Sequence, residues 1–236
     1  MRLKIILKAK DNFLYSEINN YFIQSLIWNS LKKSDFSEMH DSKKFKFFSF
    51  SNIFPVEQIR ENKRYNLIIS SPNKLFIQDL KKGIEEKGEI RIGIHKFHVE
   101  ESKIFDLPLR ERWITGSPIV LYKNNDTLEY FSFEKHKDFE FFFNRIKENA
   151  IKKFKMFYNL EKFEFKFFMF DSFKFKRTIV HSIRKNEKAF VIIGTLGEFK
   201  IPEIYSSKMR RFYKFIMDTG LGEKNSLGYG FINPKK

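Results

Sequence analysis

The chain contains no cysteine, which excludes disulfides and thiolate zinc sites. It also lacks an uninterrupted apolar run at its start. Met1 to Lys10 alternates charge with aliphatics, which fits neither a signal peptide nor a membrane span. A soluble, cytoplasmic protein with no membrane partner is expected. Acidic residues are in deficit: 29 Asp and Glu stand against 45 Lys and Arg, a formal charge of +16. Alanine is scarce, while Lys, Asn, Ile and Phe abound, as in an AT-rich genome. That bias favours Lys over Arg but does not create an excess of base over acid. A polyanion is therefore the expected partner, nucleic acid ahead of an acidic protein or membrane surface.

At 236 residues the chain can bury one large core or two smaller ones. Leu3, Ile5, Leu7 and Ala9 alternate with Arg2, Lys4 and Lys8 as in a half-buried strand. Ile18, Phe22 and Leu26 then recur at helical spacing over 17–33, with Ser16 as N-cap. Strands are expected around Phe47–Ile53 and Tyr65–Ser70. A helix opened by Ser71-Pro72 runs through Lys87 to Gly88, and one or two strands follow between Ile90 and Glu100. The order βαββαβ is the ferredoxin-like unit.

The second half nearly repeats it. Strands near Ile119–Lys123 and Thr127–Phe133 precede a helix over 137–155 that carries Phe139, Phe142, Phe143 and Ile146 on one face. A Phe/Lys hairpin spans Lys162–His181, with Phe163, Phe165 and Phe167 on its core face and Lys162, Glu164 and Lys166 opposite. A strand over Ala189–Ile201, a helix from Pro202 to Gly220 and a last strand at Tyr229–Ile232 complete it. The expected fold is α+β, two ferredoxin-like domains in tandem, 1–105 and 106–236, joined near Asp106–Arg112.

Glycine is sparse, ten residues in all, yet four of them fall between Gly220 and Gly230 in GLGEKNSLGYG. Such density marks a backbone that needs positive φ or close approach to a ligand. Lys224, Asn225 and Ser226 between Gly220, Gly222, Gly228 and Gly230 add a cation and polar groups suited to a phosphate chain. The segment is neither a P-loop nor a dinucleotide fingerprint, because no substantial helix can follow it.

The five histidines make a poor metal site. His95 and His98 differ by an odd number and point to opposite faces of a strand. His136 and Glu140, one helical turn apart, form a solvated surface pair, and His181 has no carboxylate close in sequence. No metal and no cofactor are expected. His40 is set apart, joining the first helix to the basic, aromatic run Lys43-Lys44-Phe45-Lys46-Phe47-Phe48-Ser49-Phe50-Ser51. Cations around it favour the neutral imidazole that a general base requires.

The loop GLGEKNSLGYG closely resembles the signature loop of the CRISPR-associated endoribonucleases that cut precursor repeat RNA, Cas family six of the RAMP superfamily. Tyr21-Phe22-Ile23-Gln24-Ser25-Leu26-Ile27, the His40 to Ser51 run, and Gly116-Ser117-Pro118-Ile119 agree with it. The resemblance implies a pair of ferredoxin-like domains and metal-independent cleavage that leaves a 2′,3′-cyclic phosphate and a 5′-hydroxyl. It implies that His40 is the catalytic histidine and Lys46 the lysine of the family's Tyr/His/Lys arrangement. Trp28 departs from the pattern, lying at or near the helix position of the tyrosine; Tyr21, seven residues earlier on the same helical face, is the other candidate. The glycine loop would hold RNA backbone, with Lys43, Lys44, Arg210 and Arg211 as further phosphate contacts. The expected partner is CRISPR repeat RNA, with or without other effector subunits, bound by a monomer or homodimer. The alternatives are a non-catalytic RAMP subunit holding CRISPR RNA in an effector complex, and a general single-strand RNA binder.

Overall fold

The opening alternation folds as a strand: Arg2–Ala9 forms β1, and Leu3, Ile5, Leu7 and Ala9 are fully buried. The computed structural model describes residues 1–42, 44–124, 126–165, 168–185 and 188–235. The chain divides into two units, Met1–Leu107 with Ser226–Gly228, and Pro108–Asn225 with Tyr229–Lys236.

In the first unit β1 is followed by α1 (Asn20–Ser30), β2 (Ser49–Phe50), β3 (Arg64–Ser70), α2 (Lys74–Glu85), β4 (Glu89–Ile92) and β5 (His95–Phe105). The sheet order is β2-β3-β1-β5-β4, antiparallel throughout. Without the short β4, this is the ferredoxin-like order. Register sets apolar pairs across the sheet, Leu3 opposite Ile69 and Ile5 opposite Leu67.

Several boundaries differ from those the sequence predicts. Asn19, not Ser16, caps α1, its side chain accepting from the Tyr21 N–H. Tyr15–Glu17 is a separate 3-10 turn in which Glu17 accepts from the Leu14 N–H. The strand expected from Phe47 shrinks to Ser49–Phe50 because Phe47 has φ 49°, which extended backbone cannot accommodate. Asn73 caps α2, which leaves Pro72 before the cap rather than in the first turn.

The second unit runs β6 (Arg112–Thr115), β7 (Tyr122–Asn124), β8 (Glu129–Tyr130), α3 (Phe133–His136), α4 (Phe139–Phe157), β9 (Ser172–Lys185), β10 (Lys188–Lys200), α5 (Ser207–Thr219) and β11 (Ile232–Pro234). Its sheet order is β11-β6-β10-β9, the same ferredoxin-like arrangement with the β7–β8 hairpin inserted after β6. The helix expected over 137–155 is α4, starting at Phe139, and Lys137, at φ 49°, separates it from the short α3 that was not expected. Phe142 and Ile146 are buried on α4, while Phe139 is exposed.

The Phe/Lys hairpin over Lys162–His181 is not formed. Residues 162–165 are irregular, and the long hairpin is β9 with β10. Phe163 and Phe165 are nonetheless buried, packed on Phe212 of α5 at 5.1 and 4.9 Å. Their alternation is satisfied by a helix face instead of a partner strand. Lys166 and Phe167 lie outside the described residues. The last strand starts at Ile232 rather than Tyr229, after Gly230 with φ 68°. Among the described residues no helix is long and apolar enough to cross a membrane.

Candidate functional site

Trp28, on the last turns of α1, is 7% exposed and packs edge-on against Phe48 and Phe76 at 5.5 and 6.5 Å. The His40 ring approaches the same indole at 5.6 Å and 81°. His40 ends the 3-10 turn Ser37–His40, and the Lys46 ammonium closes that turn by donating to the carbonyls of Met39, His40 and Ser42. Lys46 Nζ also lies 5.6 Å from the Trp28 ring centre. Three of the four sequence-predicted catalytic residues thus meet. Burial holds the Lys46 ammonium below its ordinary pKa, with Asp41 opposing that shift.

The hydrogen-bond partner of the His40 ring is Asp41, whose Oδ1 lies 2.6 Å from Nδ1. That contact selects the tautomer protonated on Nδ1 and leaves the Nε2 lone pair to accept a proton. Asp41 was missed from the sequence; its signal was a carboxylate directly after the histidine. Tyr21 is half-buried at the start of α1. Seven residues of helix set its Cα about 10 Å along the axis from that of Trp28, and it is the Trp28 end that His40 meets.

The glycine loop is divided between the units. Ser226–Gly228 belongs to the first, where Gln24 Nε2 donates to the Ser226 carbonyl at 2.9 Å and Asn20 Nδ2 to that of Leu227 at 2.8 Å. Gly228, at φ 78°, passes so close to Phe50 that a Cβ would lie 2.3 Å from its ring. In the second unit the arms are joined by Leu221 N–H donating to Gly230 O at 2.9 Å. A Cβ on Gly230 would stand 1.9 Å from Leu221 O. The space these glycines leave is therefore filled by the protein itself, and all four are buried.

Asn225 fastens the loop from within. Its Nδ2 donates to Leu221 O at 3.0 Å and Tyr229 O at 2.9 Å, while its Oδ1 accepts from Lys153 at 2.8 Å. Lys153, 2% exposed on α4, donates also to Gly220 O at 2.8 Å and Gly222 O at 3.2 Å. Sequence reasoning passed over Lys153, although it interrupts the buried stripe of Phe142, Ile146, Ala150 and Phe154. Lys224 is half-exposed, its Nζ 5.4 and 6.0 Å from the rings of Tyr122 and Tyr130, which stack at 4.9 Å.

Of the other basic candidates, Lys44 is exposed, Lys43 lies outside the described residues, and Arg210 is exposed on α5. Arg211 is laid over the Tyr158 ring at 3.7 Å. Three of the remaining histidines are held by structural partners, while His98 is exposed on β5. His95 stacks on Phe13 at 3.5 Å between Asp11 and Glu17, at 3.1 and 3.2 Å. His136 pairs with Glu129 at 3.4 Å rather than with Glu140, which the break at Lys137 puts on another helix. His181 Nδ1 meets the Tyr229 hydroxyl at 3.2 Å, and burial lowers its pKa. Among the described residues no three His, Asp or Glu side chains cluster as metal ligands would.

Comparison of the fold with solved structures defines its class. A structure described as a RAMP protein binding different RNA substrates matches with TM-score 0.74 and 22% identity, covering 100% of both chains. A structure described as CRISPR associated protein Cas6 matches with TM-score 0.73 and 27% identity over 100% of this chain and 99% of that one. The fold is that of both structures, two ferredoxin-like domains in tandem. Residues 15–103 match the profile for the N-terminal part of CRISPR-associated protein Cas6, and residues 100–234 the profile for its C-terminal part. CRISPR-associated endoribonuclease Cas6 2 of Methanocaldococcus jannaschii is 43% identical over 100% of both chains. Cas6 1 of the same organism is 30% identical over 98% of this chain and 92% of its own. The chain belongs to the Cas6 family.

Proposed function

We infer that the protein is an endoribonuclease that cuts CRISPR repeat precursor RNA into guide RNAs, without a metal, leaving a 2′,3′-cyclic phosphate and a 5′-hydroxyl. The observation that carries this is the meeting of His40, Asp41 and Lys46 at the buried Trp28. RNA brings its own nucleophile, so the protein need supply only a base and charge stabilisation. His40 Nε2 takes the 2′-OH proton, with Asp41 holding the ring's other nitrogen. O2′ attacks phosphorus, the bond to O5′ breaks, and the charge that develops on the phosphorane oxygens is met by the Lys46 ammonium. The Trp28 indole donates a hydrogen bond but no proton at ordinary pH. O5′ therefore takes its proton from water in preference to Tyr21, which lies two helical turns away. The glycine loop with Lys224, together with Lys43, Lys44, Arg210 and Arg211, supplies contacts to RNA phosphates.

Two observations favour a second reading, a non-catalytic subunit that binds CRISPR RNA. The Lys46 ammonium is directed at three backbone carbonyls, and tryptophan stands where the family's tyrosine is expected. Single-turnover cleavage of repeat RNA at saturating protein in EDTA separates the two. Cleavage is expected to persist, to vanish with a 2′-deoxy substitution upstream of the cut, and to slow by about 10²–10⁴-fold in His40→Ala with RNA affinity retained. No cleavage by wild type, a strict need for magnesium, or a His40→Ala variant cutting at the wild-type rate overturns the assignment.

A further inference from the structure

A buried lysine whose three partners all lie on one loop demands an account. Lys153 projects from the core stripe of α4, and its ammonium donates to Gly220 O, Gly222 O and Asn225 Oδ1. Asn225 in turn holds the carbonyls of Leu221 and Tyr229. One nitrogen therefore gathers both arms of the loop. Deep burial of a cation is costly unless its partners are well placed, and here they are two carbonyls and an amide oxygen, with no carboxylate among them. The charged groups around it are Glu223, engaged by Arg145 Nη2 and the Tyr122 N–H, both at 2.7 Å, and Lys224 beside it. On α5, which packs against α4, Asp218 pairs with Lys214 at 3.6 Å.

We propose that Lys153 is the positioning residue of the glycine loop, its ammonium fixing the 220–230 backbone in the shape that receives the RNA phosphate chain. This rests on the assignment of the loop to RNA made above. Protonation then becomes part of recognition. Burial pushes the Lys153 ammonium down to about 7 against the opposing pull of Glu223, so the free protein sheds this proton near neutrality. A neutral amine has two N–H donors for three acceptors, and one arm of the loop loses its tie. A phosphate chain on the loop favours the charged form, so the bound state keeps the proton to higher pH. By linkage, affinity falls as pH rises through the free protein's value, about tenfold for each unit of difference between bound and free.

The test is the affinity of wild type, Lys153→Met and Glu223→Gln for repeat RNA carrying a 2′-deoxy at the cut, by fluorescence anisotropy from pH 6 to 8.5. Wild-type affinity is expected to fall with a midpoint near 7. Lys153→Met should bind at least about tenfold more weakly at pH 6 and lose that pH dependence. Glu223→Gln keeps the side chain's length but removes the opposing charge, so the wild-type midpoint should move to lower pH; this arm carries the test if Lys153→Met does not fold. An unmoved midpoint in Glu223→Gln, or wild-type affinity and pH profile in Lys153→Met, overturns the proposal. Lys224→Glu, a charge reversal on the loop's half-exposed cation, separates it from its premise. If that variant binds RNA normally the loop is not an RNA site, whereas weak binding there beside normal binding by Lys153→Met sinks only the role of Lys153.

Discussion

Replacing Gly83 by alanine reverses the usual sign of such a change. In an ordinary helix interior the substitution stabilises by about 1 kcal/mol. In α2, however, a Cβ at Gly83 would lie 1.9 Å from the Ser30 carbonyl oxygen and 2.8 Å from its carbon. Carbon–oxygen contacts are comfortable from about 3.3 Å, so α1 and α2 must part by more than an ångström. Overpacking of this kind costs about 1–3 kcal/mol. Taking the upper end and subtracting the propensity gain leaves a net loss of about 2 kcal/mol. For a chain of this length that is a fall in Tm of about 4–8 °C. The displaced segment is the end of α1 that carries Trp28, against which His40 packs. A shift near 1 Å at such a site can slow chemistry by about 10²-fold. Thermal melts and single-turnover cleavage check both parts. Gly88→Ala is the control: φ is 60° but nothing lies within 4 Å, so it should lose about 1–2 kcal/mol to strain and cleave normally. A Gly83→Ala protein that melts at or above wild type would refute the steric argument, and one that melts lower but cleaves at full rate would refute the coupling.

Two further outcomes are expected. Lys46→Ala should slow single-turnover cleavage by about 10²-fold and speed hydrogen exchange of the backbone around residues 37–42, where its three carbonyl partners lie; unchanged exchange would mean the lysine does not hold His40 in place. The buried lysine on α4 also predicts how stability varies with pH. Its pKa is about 7 when folded and 10.5 otherwise, so between these values the unfolded chain binds the proton and the folded one does not. Stability should therefore rise with pH from about 7 towards 10.5, the full penalty being present below 7. Urea titrations of wild type at pH 6.5 and 9 should show this increment and those of Lys153→Met should lack it; equal increments in both would place the titration elsewhere.

The tandem fold was legible because its strands and helices are written in local periods. Leu3, Ile5 and Leu7 alternate and Phe142 and Ile146 sit one turn apart, and all five are buried, although Phe139 at the start of the same helical pattern is exposed. Boundaries were harder where two residues offer the same chemistry. Ser16 and Asn19 both suit a cap, and the choice fell to Asn19 once Glu17 had closed its own turn on Leu14. The Phe163/Phe165 alternation misled because period two records which side is buried, not what buries it, and Phe212 of a helix fills that role. For the site, His40 and Lys46 were visible as residue types in a short basic run. Their meeting with Trp28 depends on a 3-10 turn and a lysine reaching back to carbonyls, and backbone acceptors leave no mark in side-chain identity. Lys153 did leave one, a charge on an apolar stripe.

Membership of Ser226–Gly228 in the first unit has a consequence for synthesis. The partners that Asn20 and Gln24 hold are backbone carbonyls of residues 226 and 227, and Gly228 seats against Phe50. On the ribosome the rest of that unit has been synthesised by Leu107, but these residues follow only after translation of Pro108–Asn225. At 5–20 residues per second the interval is on the order of ten seconds. During it the start of α1 and the Phe50 ring wait without their last cover, so the unit that carries His40 cannot finish folding early. Truncation before Ser226 would therefore damage the first unit as well as shorten the second, and separate expression of residues 1–107 would yield an incomplete domain.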